Sequence, residues 1–215
     1  MRRRTTTMLG LVAATSLLTA CGSGATDAGA PASGGSTGTT TTPTQSTTQS
    51  TTPTPSDAAD VNALDFPSGT ARQFGKNTGA WDLVLRDVRV SEHDGFDRVV
   101  VEFKGTGTPG WSARYVKTPR ADGSGEVVDV DGDHVLEVSI SGVTIRKGYP
   151  KTAEDFFHGA RHFAPEHGGD IEDLNVGGVF EGYSQLFLGI DGDKAPFRVF
   201  ALTNPSRLVV DVKDD

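Results

Sequence analysis

Alternating apolar and polar residues recur along the second half of the chain. In one such stretch, Val99, Val101 and Phe103 alternate with Arg98 and Glu102. Successive side chains of a β-strand point to opposite faces, so a period of two is typical of a strand with one buried face. The same pattern predicts half-buried strands in five stretches: 98–104, 136–140, 186–190, 197–201 and 207–213.

An earlier strand is predicted from Trp81 to Val90, with an irregularity inside it. Its apolar residues stand at odd positions up to Leu85 and at even positions from Val88 onwards. One extra residue in a strand moves all later side chains to the other face. The change therefore predicts a β-bulge near Arg86 and Asp87.

Asp-Gly pairs lie between predicted strands, and one segment departs from the strand pattern. Asp-Gly accepts the positive φ angles of a type I′ turn, so hairpins are predicted at 94–95, 131–132 and 191–192. Residues 152–162 predict a short helix with Thr152 as its N-cap, although Gly159 disfavours it. The expected fold is all-β: an antiparallel β-sandwich or barrel-like domain of hairpins with at most one or two short helices.

The first twenty residues resemble an export signal. Arg2, Arg3 and Arg4 precede an apolar run over 8–18, which is shorter than the roughly twenty residues that span a membrane as a helix. The run ends in LTAC at 18–21, which resembles the lipobox of bacterial lipoproteins. This resemblance predicts cleavage after Ala20 and a lipid on Cys21; the alternative is an ordinary cleavage site beside a chance cysteine.

A marked change of composition separates this signal from the rest. Of the 39 residues from 22 to 60, 34 are Ser, Thr, Gly, Pro or Ala, and none is basic, aromatic or a large aliphatic. Such a segment cannot bury a core and predicts a disordered linker, with glycosylation left open. The predicted organisation is a signal peptide at 1–20, the lipidated cysteine and linker at 21–60, a lead-in segment at 61–79, and a β domain at 80–213.

The net charge and the cysteine content exclude several kinds of site and partner. Cys21 is the only cysteine, which excludes disulfides and a Cys-ligated zinc site. Loss of the three arginines with residues 1–20 takes the formal net charge from −8 to −11. With no basic cluster in the chain, nucleic acid is not an expected partner. No cofactor is expected either.

Three stretches resemble the AMIN-like domain of lipoproteins from high-GC Gram-positive bacteria, a relative of the amidase N-terminal targeting domain. They are HDGFDRVVVEF at 93–103, TPGW at 108–111, and the segment 180–211, which ends in PSRLVVD. The resemblance implies a β-sandwich and a non-catalytic role in recognising the cell envelope, with peptidoglycan or another envelope protein as partner. It identifies no ligand residue, and residues 146–170 do not match the family pattern.

Candidate ligand contacts follow from side-chain chemistry at strand positions expected to face outward. Aromatic rings cover sugar faces, and Arg hydrogen-bonds carboxylates. Five residues meet this description: Trp111, Tyr115, Tyr183, Gln185 and Arg198. Arg98, Arg207 and Asp211 are interpreted instead as structural polar partners across strands.

The rival hypothesis is a metal-dependent hydrolase built on His158, His162 and His167. The first two would share one face of a helix, but no H-E-x-x-H motif is present. Two further motifs are incomplete and are not predicted to be sites: a calcium-binding loop beginning at Asp129 and a nucleophile elbow at Ser184. The leading hypothesis is a lipid-anchored, non-catalytic binding module on the outer face of the membrane; a protein–protein interaction module is the other alternative.

Overall fold

The computed structural model describes residues 64–145 and 157–214, which form ten strands. No helix in these ranges is long and apolar enough to cross a membrane. The strands are β1 Gln73–Gly75, β2 Val84–His93, β3 Phe96–Lys104, β4 Gly110–Val116, β5 His134–Ser141, β6 His162–Phe163, β7 Ile171–Phe180, β8 Tyr183–Ile190, β9 Phe197–Leu202 and β10 Ser206–Lys213.

The strands form two antiparallel sheets. The six-stranded sheet has the order β1-β4-β5-β8-β7-β6, and the four-stranded sheet has the order β2-β3-β10-β9. Side chains of both sheets share one hydrophobic core, to which Val99 and Val210 contribute from one sheet and Leu136 and Leu186 from the other. The predicted all-β sandwich is confirmed.

The alternation predicted for single strands holds where one face meets solvent. In β3, Val99, Val101 and Phe103 are buried, whereas the residues between them are partly exposed. In β8 and β9, by contrast, nearly every residue is buried. The loop 117–133 covers part of β8, and Leu64 packs against the outer side of the four-stranded sheet. The half-buried prediction is therefore wrong for these two strands. It is also wrong for the middle of β10, where Val209 and Asp211 are buried on the face opposite Val210.

The bulge in the first long strand is confirmed. Pairing between β2 and β3 shifts register between Leu85 and Asp87, which stand opposite the adjacent residues Phe103 and Glu102. Arg86 is thus the extra residue. The sequence signal was the change of apolar parity at this point.

Of the three Asp-Gly pairs predicted to form hairpins, one does. Asp94 and Gly95 join β2 to β3, and only Gly95 has a positive φ, so the turn is not type I′. The pair at 131–132 lies in the long loop before β5, and the pair at 191–192 begins the crossing from one sheet to the other. Two consecutive positive φ angles, as in a type I′ turn, occur instead at Glu181 and Gly182, between β7 and β8.

The helix prediction for 152–162 is wrong where it can be compared. Residues 152–156 lie outside the described residues, 157–161 are irregular, and His162 begins β6 opposite Asn175. The isolated segment has helical spacing, but its end pairs with the edge of β7, and tertiary pairing overrides local propensity.

Gly95 and Gly132 offer a paired test of the turns. Both have a left-handed φ, but a Cβ at Gly95 would meet nothing within 4 Å, whereas at Gly132 it would lie 2.8 Å from the Ile190 amide nitrogen. We expect Gly95→Ala to cost about 1 kcal/mol of unfolding free energy and Gly132→Ala about 3 kcal/mol, because backbone cannot move aside cheaply. Chemical denaturation of both variants measures the difference; equal losses would contradict it.

Candidate functional site

The five predicted ligand contacts do not share one surface. Tyr183 is 43% exposed, but Trp111, Gln185 and Arg198 are buried and Tyr115 is only partly exposed. The expectation that these positions face outward is therefore correct for Tyr183 and wrong for the three buried residues. Trp111 lies on the core-facing side of β4, whereas Gln185 and Arg198 are covered by segments distant in sequence.

Trp111 and Tyr115 pack between elements of the sandwich. The indole of Trp111 belongs to the core and lies against the backbone of Gly75 on β1. The Tyr115 hydroxyl donates to the Ala195 carbonyl oxygen at 2.9 Å, and its ring meets Phe197 edge-on. Trp111 therefore packs β4 against β1, and Tyr115 connects β4 to the beginning of β9 and the residues before it.

Gln185 fastens the loop 117–133 to the sheet. Its Oε1 accepts from the Asp122 amide at 2.7 Å, while its Nε2 donates to the Arg120 carbonyl and to Glu137 Oε1, both at 3.1 Å. All the polar atoms of this side chain are thus engaged within the protein.

Arg198 belongs to a buried ion triad on the outer face of the four-stranded sheet. Arg98, Asp211 and Arg198 stand directly opposite one another on β3, β10 and β9. Asp211 accepts from Arg98 Nε at 2.6 Å through one oxygen and from Arg198 Nε at 2.7 Å through the other. This agrees with the structural interpretation of Arg98 and Asp211. Arg207 donates only to the nearby Pro205 carbonyl, at 3.3 Å.

The histidines do not converge. All three side chains are exposed, and His162 Nε2 lies 2.7 Å from Asp173 Oδ2. The three histidines do not form a group with ligand atoms within 4.8 Å of one another; within 64–145 and 157–214 only three aspartates do. Ser184 is also engaged, because its hydroxyl donates to the Gly177 carbonyl at 3.3 Å.

An exposed apolar surface lies at the β7–β8 turn. Of the six large hydrophobic side chains exposed in the described residues, four gather here. Trp81 meets Tyr183 edge-on with 6.0 Å between ring centroids, and Phe180 is paired with Tyr183 across the hairpin. Trp81 and Ile145 line a shallow groove of about 380 Å³ with Val143, Val179 and the turn itself. We call Trp81, Ile145, Phe180 and Tyr183 the aromatic surface.

Backbone contacts hold the aromatic surface in shape. The Val143 amide donates to the Gly182 carbonyl at 3.2 Å, and the Thr144 amide donates to the Leu83 carbonyl at 2.7 Å. Gly182 has a φ of 86°, and a Cβ there would lie 2.9 Å from the Trp81 ring. The tight turn thus lets the indole lie directly on the backbone, and the rings need little reordering to receive a ligand.

Sequence reasoning found Tyr183 but not Trp81 or Ile145. Trp81 was assigned to the start of a strand, although it precedes β2 and is 48% exposed. A usable signal was its setting: one of only two tryptophans, it stands between Ala80 and Asp82, neither of which has a large apolar side chain.

Comparison with known families gives one match. The family model of the AMIN-like domain matches residues 83–214, well over half of the chain. No curated protein matches the chain. The matched range begins at the buried Leu83 and ends just after β10, so it contains strands β2 to β10. The chain belongs to the AMIN-like domain family.

Proposed function

We propose that the protein is a lipid-anchored, extracytoplasmic module that binds peptidoglycan-related glycopeptide without catalysis, through the aromatic surface. AMIN-like domains are envelope-related targeting modules, which supports the partner class. The observation that carries the proposal is the clustering of Trp81, Ile145, Phe180 and Tyr183 on one end of the sandwich.

The chemistry of the aromatic surface suits a glycan carrying a peptide. An aromatic ring covers the apolar face of a sugar, and the indole N–H and phenolic O–H supply polar contacts at its rim. Glu181 at the turn adds a carboxylate that can pair with an amino group of a stem peptide. A mature net charge of −11 disfavours strongly anionic phosphodiester polymers as the ligand.

The anchor and linker explain how such a domain would reach its ligand. The lipid on Cys21 would hold the chain at the membrane, and a flexible segment of this length and composition has a root-mean-square reach of about 35 Å. Wall polymer within about 35 Å of the membrane surface would be within reach of the domain.

Co-sedimentation with purified, protein-free wall tests the proposal. We expect the full chain carrying Cys21→Ser to pellet with wall, and Trp81→Ala or Tyr183→Ala to weaken binding at least about fivefold, as for loss of an interface aromatic. Release of soluble sugar should not rise during the assay.

Phe74→Ala is the matched control, since Phe74 is 70% exposed but lies on β1, at the far edge of the same sheet. This control should bind as well as the parent chain. Pelleting no greater than that of serum albumin would reject the binding proposal. Equal losses for Phe74→Ala and Trp81→Ala would reject the aromatic surface as the contact.

A further inference from the structure

Three carboxylates meet where the two sheets come together at one end of the sandwich. Asp97 is the second residue of β3, Asp214 follows β10, and Asp170 precedes β7. Each offers an oxygen, and these oxygens all lie within 4.8 Å of one another. The first two carboxylates come from the four-stranded sheet, and the third comes from the six-stranded sheet.

The strand pattern places two of these groups against the core. Asp97 has the same parity as the buried Val99 and Val101, and Asp214 continues the row of Leu208, Val210 and Val212. Asp97 is fully buried. A carboxylate at the end of an inward-facing row is costly unless something compensates its charge.

The protein satisfies these carboxylates only in part. Asp97 Oδ2 accepts from the Asp170 amide at 2.7 Å, but Asp97 Oδ1 is buried without a hydrogen-bond partner, and so is Asp214 Oδ1. Gly169, with a φ of 56°, brings its backbone directly against the Asp97 carboxylate. A buried, unpaired oxygen thus lies in a group of three carboxylates.

Nearby negative charges further disfavour the ionised form of these carboxyl groups. Burial, with the charges of Asp214 and Asp170, raises the pKa of Asp97 to about 6. Burial and the charges of Asp170, Glu92 and Asp94 raise the pKa of Asp214. The charges that raise these two pKa values belong to carboxylates of the described residues, and ionised carboxylates repel one another.

We propose that Asp97, Asp170 and Asp214 bind a calcium ion that links the two sheets. Calcium takes oxygen ligands at about 2.3–2.6 Å in flexible geometry, so oxygens up to about 4.8 Å apart can share one ion. Such an ion would supply the partner that the buried Asp97 Oδ1 and Asp214 Oδ1 lack, and water would complete its coordination. Magnesium demands stricter octahedral geometry and gives up water reluctantly, which favours calcium at this mixed site.

Calcium binding would stabilise the sandwich at a place where the bare carboxylates weaken it. An ion that binds the folded chain alone raises its stability in proportion to the logarithm of concentration. Extracellular calcium modules bind at about 10⁻⁴ to 10⁻³ M, a range suited to an extracytoplasmic domain. The proposal is independent of the glycopeptide proposal, because it involves other residues.

The experiment uses the full chain in mild detergent at neutral pH. Equilibrium dialysis should give one calcium ion per chain, and 5 mM calcium should raise the unfolding midpoint above its value in chelator by about 3 °C or more. Magnesium at the same concentration should have a markedly smaller effect. Absence of bound calcium in the dialysis, or an equal effect of magnesium, would overturn the proposal.

Two variants locate the ion. Asp97→Asn keeps an acceptor for the Asp170 amide, and Asp214→Asn removes one negative charge; both should abolish stoichiometric binding. In chelator, Asp214→Asn should melt above wild type because self-repulsion falls, a gain that a purely structural role would not produce. Asp129→Asn, at an exposed loop position, should keep the wild-type response. Unchanged calcium binding in Asp214→Asn would refute the site even if Asp97→Asn failed to fold.

Discussion

Replacing Asp211 with Ala should lower the free energy of unfolding by about 3 to 5 kcal/mol, the loss typical of breaking a buried ion pair from one side. Asp211 is fully buried between Arg98 and Arg198, and its two oxygens accept three short hydrogen bonds from their guanidinium groups. Without it, two cations face each other across β10 with no anion between them.

The arginines cannot easily turn to water instead. The guanidinium carbon of Arg198 lies 4.3 Å from the Phe66 ring centroid and 5.0 Å from that of Phe96. Arg198 Nη2 is already buried without a hydrogen-bond partner, so loss of Asp211 would leave further donors of this guanidinium group unpaired. The lead-in segment thus closes over the triad and makes its charge balance important for stability.

Asp87 provides the matched control on the same sheet. It pairs with Arg89 at 2.6 Å, but both side chains are about half exposed. Exposed ion pairs contribute little, so Asp87→Ala should cost below about 1 kcal/mol. Urea denaturation of the two variants and the parent chain measures both values. A loss for Asp211→Ala no greater than for Asp87→Ala would show that the triad is not a main support of the sheet.

Local patterns predicted the elements whose cause is local. The alternation in β3 follows from the pleat of a strand with one face on the core, and the parity change at Arg86 marks the bulge because an inserted residue exchanges the faces. Both signals lie within ten residues of the feature that they predict. They therefore needed no knowledge of the rest of the chain.

Burial caused by distant segments could not be predicted in this way. Gln185 is buried because the loop 117–133 returns to it, and Arg198 is buried because Phe66 lies over it. The alternation of a strand identifies which side chains point away from the core, but not whether another segment covers them. The assignment of these residues to a ligand surface was wrong for this reason.

A signal for the carboxylate cluster was present in the sequence. Asp97 is the first residue of the inward-facing row of β3, which continues with the apolar Val99, Val101 and Phe103. A charged residue at a core-facing position indicates a buried partner, a ligand or a strained group. The partner in this case comes from residue 170 onwards, more than seventy residues away, and spacing alone does not identify it.

The positions of the aromatic surface and the cluster are consistent with separate roles. The aromatic surface lies at the β7–β8 turn, whereas the cluster lies at the beginning of β7 and the end of β10. β7 has ten residues and joins the two places. A ligand could thus bind at one end of this strand while a cation stabilises the other.

Substitution of Cys21 by Ser should move the protein from the membrane fraction to the soluble fraction. Cys21 is the only cysteine and ends the LTAC run, whose resemblance to a lipobox predicts that it accepts a diacylglyceryl group. Each buried CH₂ contributes about 0.8 kcal/mol, so two acyl chains hold a protein firmly whereas one holds it marginally. Without the thiol no acyl chain can be attached, and the acidic chain has no basic patch to hold it at an anionic membrane.

Fractionation of cells grown with labelled palmitate tests the anchor directly. Wild type should be labelled and membrane-bound, and Cys21→Ser should be unlabelled and soluble. Thr42→Ala is the matched control: it alters a hydroxyl residue in the predicted linker but leaves the cysteine, so it should behave as wild type. If Cys21→Ser stays with the membrane at unchanged apparent mass, lipid on Cys21 is not the anchor. The proposal that the linker extends from the membrane at residue 21 would then be wrong as well.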